Sequence, residues 1–144
     1  MPTENDTPPM ADLDVFVGTW RVSTSFSGDL AAETRFEWLA GNQFLVQRWQ
    51  VDHPDAPDGI AIIGYDAERA TYLQHYFDSR GVARVYEMTF SEGVWKLVRI
   101  APGFSQRFTG TFRDHATIAG QWESSDDGTH WEPDFDMTYT RVAE

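Results

Sequence analysis

The 144-residue sequence predicts an all-β domain: a single antiparallel up-and-down β-barrel of about ten strands behind a short N-terminal helical turn. Three observations point there. After Gly18 the hydrophobic pattern has period two, and no later stretch shows a 3.6-residue period over two turns. Turn residues interrupt that alternation at short, regular steps, as in sandwiches and barrels. No helical segments lie between the strands, so the connections suit hairpins rather than parallel crossovers.

In chain order, residues 1–12 read as a flexible lead-in, with adjacent prolines and a polar, acidic character. They lack the basic start and apolar centre of a secretory signal. Leu13, Val15, Phe16 and Val17 form an apolar cluster too short for a free helix, and read as one turn capping the domain that spans 13–144. Strands are expected at 19–26, 31–39, 43–51, 60–66, 71–77, 82–90, 94–100, 105–112, 117–124 and 134–142. Between them lie turn signals such as Ser27-Gly28-Asp29, Gly41-Asn42, Ser79-Arg80-Gly81 and Ser91-Glu92-Gly93. An open ten-stranded meander would leave two long edges, and closure removes them. A closed barrel of that strand number is wider than the eight-stranded case that just holds one small ligand, so part of the lumen should stay open.

Charge and composition narrow the function. Lys plus Arg is 11 and Asp plus Glu is 23, a net charge of −12. Nucleic-acid binders displace counterions with basic surface, and this chain would repel a polyanion. From Asp114 to Thr140 there are acids and no Lys or Arg, which reads as a solvated face. The longest apolar run, from Gly59 to Tyr65, is far short of the roughly 20 residues of a membrane helix. The chain has no Cys, which excludes disulfide scaffolds and thiol enzymes and fits a reducing cytoplasm as the expected location.

The segment from Leu13 to Trp20 resembles the start of a calycin-type barrel, the group of lipocalins, fatty-acid-binding proteins and nitrobindins. These share a short N-terminal turn followed by Gly-x-Trp on the first strand, here Gly18, Thr19 and Trp20. A basic residue near the end of the last strand commonly packs across that Trp, and Arg141 is the matching position. Gly93-Val94-Trp95 and Gly120-Gln121-Trp122 also fit the tripeptide. From Gly18 to Val142 the chain resembles a bacterial family of unknown function. The resemblance rests on Phe36-Glu37-Trp38-Leu39, Ile63-Gly64-Tyr65-Asp66, His75 to Gly81, Tyr86-Glu87-Met88, Phe108 to Phe112 and Trp131 to Asp136. It implies the fold and brings no activity with it. For Trp20 and Arg141 it implies a structural stack of guanidinium on indole, worth about 0.5–2 kcal/mol. Nitrobindins hold haem through a histidine on a late strand. Residues 134–142 contain no His, so no cofactor is predicted.

Few residues carry chemistry. His53, His115 and His130 fall in loops and His75 in mid-strand, with no metal-ligand spacing among them. There is no nucleophile elbow. Glu87 is the one acid flanked closely by apolar residues, and it can equally face solvent. The informative hairpin is 71–90. Val82, Arg84, Tyr86, Met88 and Phe90 share the more apolar face, which places Arg84 and Tyr86 in the lumen. A buried arginine stays charged and needs an acceptor, supplied either by an anionic ligand or by a protein carboxylate. Arg84-Val85-Tyr86 is similar in type to the Arg-x-Tyr pair that holds a carboxylate in fatty-acid-binding proteins.

Which residues face Arg84 depends on the turn. A three-residue loop with Gly81 in the left-handed region pairs Tyr76 with Arg84 and turns Tyr72, Gln74 and Tyr76 inward. A two- or four-residue loop turns Leu73, His75 and Phe77 inward, and the greater tendency of Phe and Leu to be buried favours that register. Arg48 is a further lumen candidate. The expected function is binding of a small apolar or amphipathic molecule, with an anion among the options, by Arg84, Tyr86, His75, Tyr76 and Arg48. The alternatives are an enzyme with lumen acid or base residues, a haem or nitrogen-oxide protein, and a homodimer or partner-binding module without ligand.

Overall fold

The computed structural model describes residues 9–25, 31–51 and 56–142. The fold is the expected one: ten strands in an antiparallel meander, closed by pairing of the first with the last. They are β1 (Gly18–Thr24), β2 (Ala31–Trp38), β3 (Leu45–Val51), β4 (Gly59–Asp66), β5 (Thr71–Asp78), β6 (Ala83–Ser91), β7 (Val94–Arg99), β8 (Ser105–Asp114), β9 (Thr117–Ser125) and β10 (Glu132–Arg141). Phe26, the Ser27-Gly28-Asp29 turn and His53 lie outside the described residues. Among the described residues no helix is long and apolar enough to cross a membrane.

The N-terminal turn is a 3-10 helix from Pro9 to Phe16, so its first half covers residues 9–12. A 3-10 helix has three residues per turn, which lines Met10, Leu13 and Phe16 along one edge. All three are buried, and this edge plugs one end of the barrel. Phe16 sits 5.0–5.4 Å from the rings of Phe36, Phe90, Trp95 and Phe112. Trp20 Nε1 donates to the Phe16 carbonyl at 2.9 Å, satisfying one orphan carbonyl of the helix end. The expected Trp20–Arg141 contact is present, with the guanidinium 4.1 Å from the indole. Arg141 also donates to the carbonyls of Val17 (2.7 Å), Val15 (2.5 Å) and His115 (3.0 Å), tying the plug to the last strand.

Two turns fix registers that matter below. Glu92 and Gly93 both have positive φ, the mark of a type I′ turn between β6 and β7. Between β5 and β6, Asp78 N–H bonds the Val82 carbonyl and Gly81 has φ 85°, so Ser79, Arg80 and Gly81 form a three-residue loop. Tyr76 therefore pairs with Arg84, and Gln74 with Tyr86.

That pairing corrects the expected face of β5. Tyr72, Gln74 and Asp78 are buried, His75 is exposed and Phe77 is 43% exposed. Leu73, His75 and Phe77 lie on the outer wall. The burial ranking misled because the outer wall of β3–β6 is itself apolar. By register Val46, Ile62, His75 and Val85 form one row there, and Ile60, Phe77 and Ala83 the next. The outer positions of β1, β8 and β10 are mostly Arg, Thr, Ser and Asp. Arg48 is corrected by the same geometry: it points outward and pairs with Glu37 at 3.3 Å.

Candidate ligand-binding site

At the end opposite the plug the core opens into a cavity of about 490 Å³. Inward positions on all ten strands line it. Its floor is Trp95 and Phe108, 4.9 Å apart. Phe108 lies flat against Gly110 and Gly120, where an added Cβ would meet its ring at 2.9 and 2.6 Å. Two offset-stacked pairs stand across the barrel from each other, Trp49 on Tyr76 (5.4 Å, 28°) and Trp122 on Phe135 (6.4 Å, 29°). Trp49 reaches its place because Gly59 has no side chain, since a Cβ there would lie 2.2 Å from the indole.

The polar groups are few and placed. Gln47 Nε2 donates to Thr34 Oγ1 (3.1 Å), which donates to the Arg48 carbonyl, and Gln47 also bonds Tyr139. Burial pushes the Tyr139 phenol up, so it stays protonated. Near the mouth, Asp78 accepts from Tyr76 OH (2.5 Å), Arg80 N–H (2.9 Å) and the Arg80 guanidinium (2.7 Å). The Asp78 side chain is wholly buried, and the Arg80 hydrogen bond holds its carboxyl well below the usual carboxylate range. Burial, then the bond to Asp78, pushes the Tyr76 phenol up.

Arg84 and Tyr86 face the lumen as the alternation of β6 predicted. Both reach one atom: Arg84 donates to Gln106 Oε1 at 2.9 Å, and Tyr86 OH donates to the same oxygen at 2.9 Å. The guanidinium also lies 5.8 Å from the Phe104 ring. Burial raises the Tyr86 phenol above its usual value near 10, with Arg84 opposing the rise, so it remains a donor at neutral pH. Among the described residues no carboxylate pairs with Arg84, and a neutral amide stands where a structural ion pair would put an acid.

Of the residues singled out by sequence, Arg84, Tyr86 and Tyr76 meet in the cavity, whereas His75 and Arg48 do not. Gly18, Trp20 and Arg141 belong to the plugged end. Glu87 is exposed on the outer wall. His130 bonds Asp127 at 2.6 Å in the β9–β10 loop. Gln106, Arg80, Asp78 and the aromatics Trp49 and Trp122 were missed. Gln106 was legible in part, because it alternates in phase with Phe108 and Phe112. Its meeting with Arg84, 22 residues away, was not.

No family model matches the chain, and no curated protein matches it. Among solved structures it is similar to the crystal structure of a protein of unknown function from the DUF3598 family of Nostoc punctiforme. The two share 9% identity over 99% of this chain and 100% of that one, with a TM-score of 0.28, a likeness that carries no argument about function.

Proposed function

We propose that this barrel binds a small amphipathic anion in its lumen, in the manner of a calycin-type carrier, with the apolar body against the aromatic wall and the anionic end at Arg84 and Tyr86. One observation carries the reading. In a chain of net charge −12, the charged side chains among the described residues lining the cavity are both arginines, Arg80 and Arg84. Asp78 balances Arg80, and among the described residues no carboxylate pairs with Arg84. A largely apolar cavity with a few convergent polar groups is the usual form of a small-molecule site. The volume, about 490 Å³, is within the range that holds drug-sized ligands. Native mass spectrometry of protein purified from its own host tests it. A retained small anion supports the proposal. Repeated recovery of bare protein that also fails to bind 8-anilinonaphthalene-1-sulfonate defeats it.

A second reading is supported by the outer wall. Phe44, Phe77 and Val85 are 43–47% exposed on the apolar face of β3–β6, bordered on one side by the Arg35–Glu37–Arg48 cluster and on the other by Glu87. An exposed apolar face with a charged border is suited to self-association about a two-fold axis. Sedimentation velocity at micromolar concentration tests this: a dimer for the native chain and a monomer for Val85→Glu. A native monomer removes the reading.

A further inference from the structure

We infer that Gln106 Oε1 occupies the seat of the ligand's anionic oxygen, and that Gln106 selects organic oxyanions (carboxylate or sulfonate on a flat apolar body) over neutral molecules. This rests on the carrier reading above and adds what decides its cargo. Two donors from β6, one of them a guanidinium, converge on a single neutral oxygen from β8. A guanidinium bonds an ionised acceptor about twice as strongly as a neutral one. The neighbouring Arg80 has that partner in Asp78, at 2.7 Å. Arg84 has an amide instead, in a chain with 23 acids.

Glutamate at position 106 would have the same shape and would complete the ion pair. The amide holds Arg84 and Tyr86 aimed at one point without cancelling the charge. Rotation of the Gln106 side chain frees that point for an oxyanion. The flat body follows from the walls: stacked rings at Trp49–Tyr76 and Trp122–Phe135 present planar surfaces on opposite sides of the lumen.

Two fluorescent probes with the same ring system separate charge from shape: 8-anilinonaphthalene-1-sulfonate, and neutral N-phenyl-1-naphthylamine. Gln106→Glu should weaken the sulfonate by about tenfold or more, the loss of at least one charge-assisted interaction, while holding the neutral probe within about threefold. Gln106→Ala should hold the sulfonate within about threefold. Arg84→Gln should lose the sulfonate as Gln106→Glu does. Near-UV circular dichroism and a melting temperature at or above the native value show that Gln106→Glu is folded, since its new carboxylate pairs with Arg84. Equal sulfonate binding by native protein and Gln106→Glu overturns the assignment of Gln106 and leaves the carrier reading standing. Loss of the sulfonate in Gln106→Ala as severe as in Gln106→Glu also overturns it, because the amide is then a structural peg. Binding of neither probe by the native chain sinks the carrier reading and this inference with it.

Discussion

Replacing Arg141 by methionine tests the closure of the plugged end most directly. Methionine keeps an apolar stem over Trp20 and removes the guanidinium. The change deletes two partly buried charged hydrogen bonds, to Val17 at 2.7 Å and Val15 at 2.5 Å, and a more exposed one to His115. Hydrogen bonds from charged groups contribute about 1.5–3 kcal/mol each, and the low end applies where water can reach the freed carbonyls. Two such bonds come to about 3 kcal/mol. The contact with the Trp20 face, at 4.1 Å, adds about 0.5–1 kcal/mol. Arg141→Met should therefore lose about 3–4 kcal/mol in urea unfolding, through a lower midpoint at unchanged slope. The melting temperature should fall by roughly 10 °C. Arg141→Lys keeps the charge but lacks the fork, and should recover less than half of the loss. Gly18→Ala strikes the same contact from the other side. Gly18 has φ 131°, and a Cβ there would lie 2.8 Å from the guanidinium. Probe binding at the open end should survive Arg141→Met at a temperature where the variant is folded. A loss of stability below about 1 kcal/mol would refute the claim that Arg141 fastens the helix to the barrel.

Three further outcomes follow from the geometry. Gly59→Ala should cost about 2–3 kcal/mol, the upper part of the usual overpacking range, because the new Cβ meets both the Trp49 indole and the Phe77 carbonyl, 2.7 Å away. Near-UV circular dichroism should report the displaced Trp49, and an unchanged spectrum with native stability would count against the packing. The lowered Asp78 carboxyl stabilises the fold above the ordinary carboxylate value near 4, and that stability is lost as pH falls through its folded-state value. The stability gap between native protein and Asp78→Asn should thus be full at neutral pH and shrink steadily below pH about 4, and a gap that stays constant to low pH would contradict it. His75→Ala should shift stability by less than about 0.5 kcal/mol and leave probe affinity unchanged, because the side chain stands exposed on the outer wall. A large loss of affinity would return His75 to the lumen.

The closed meander was legible because strand periodicity and turn chemistry are local. Apolar alternation from Gly18 onward and the spacing of turn residues define ten strands, and ten strands without helices close most simply on themselves. The pairing of Trp20 with Arg141 and the inward face of β6 were readable for similar reasons, the first from a motif and the second from one-sided apolarity. The lumen face of β5 was readable too, but in the turn rather than in the strand. Gly81 after Ser79-Arg80 specifies a three-residue loop, and that loop puts Tyr76 opposite Arg84. Ranking side chains by how readily they bury pointed the other way, because the outer wall carries its own apolar surface.

Tertiary structure alone decided what meets Arg84. Nothing in the chain near β6 indicates that its partner is the amide of Gln106 rather than one of 23 acids, since β6 and β8 do not pair and their side chains meet only across the inner face of β7. The size of the cavity was likewise undetermined by composition. It depends on how far the Phe16 edge fills one end and on how Phe108 lies over two glycines from neighbouring strands. Periodicity along a strand says which side chains turn inward. Only the closed barrel sets which of them touch and how much room they leave.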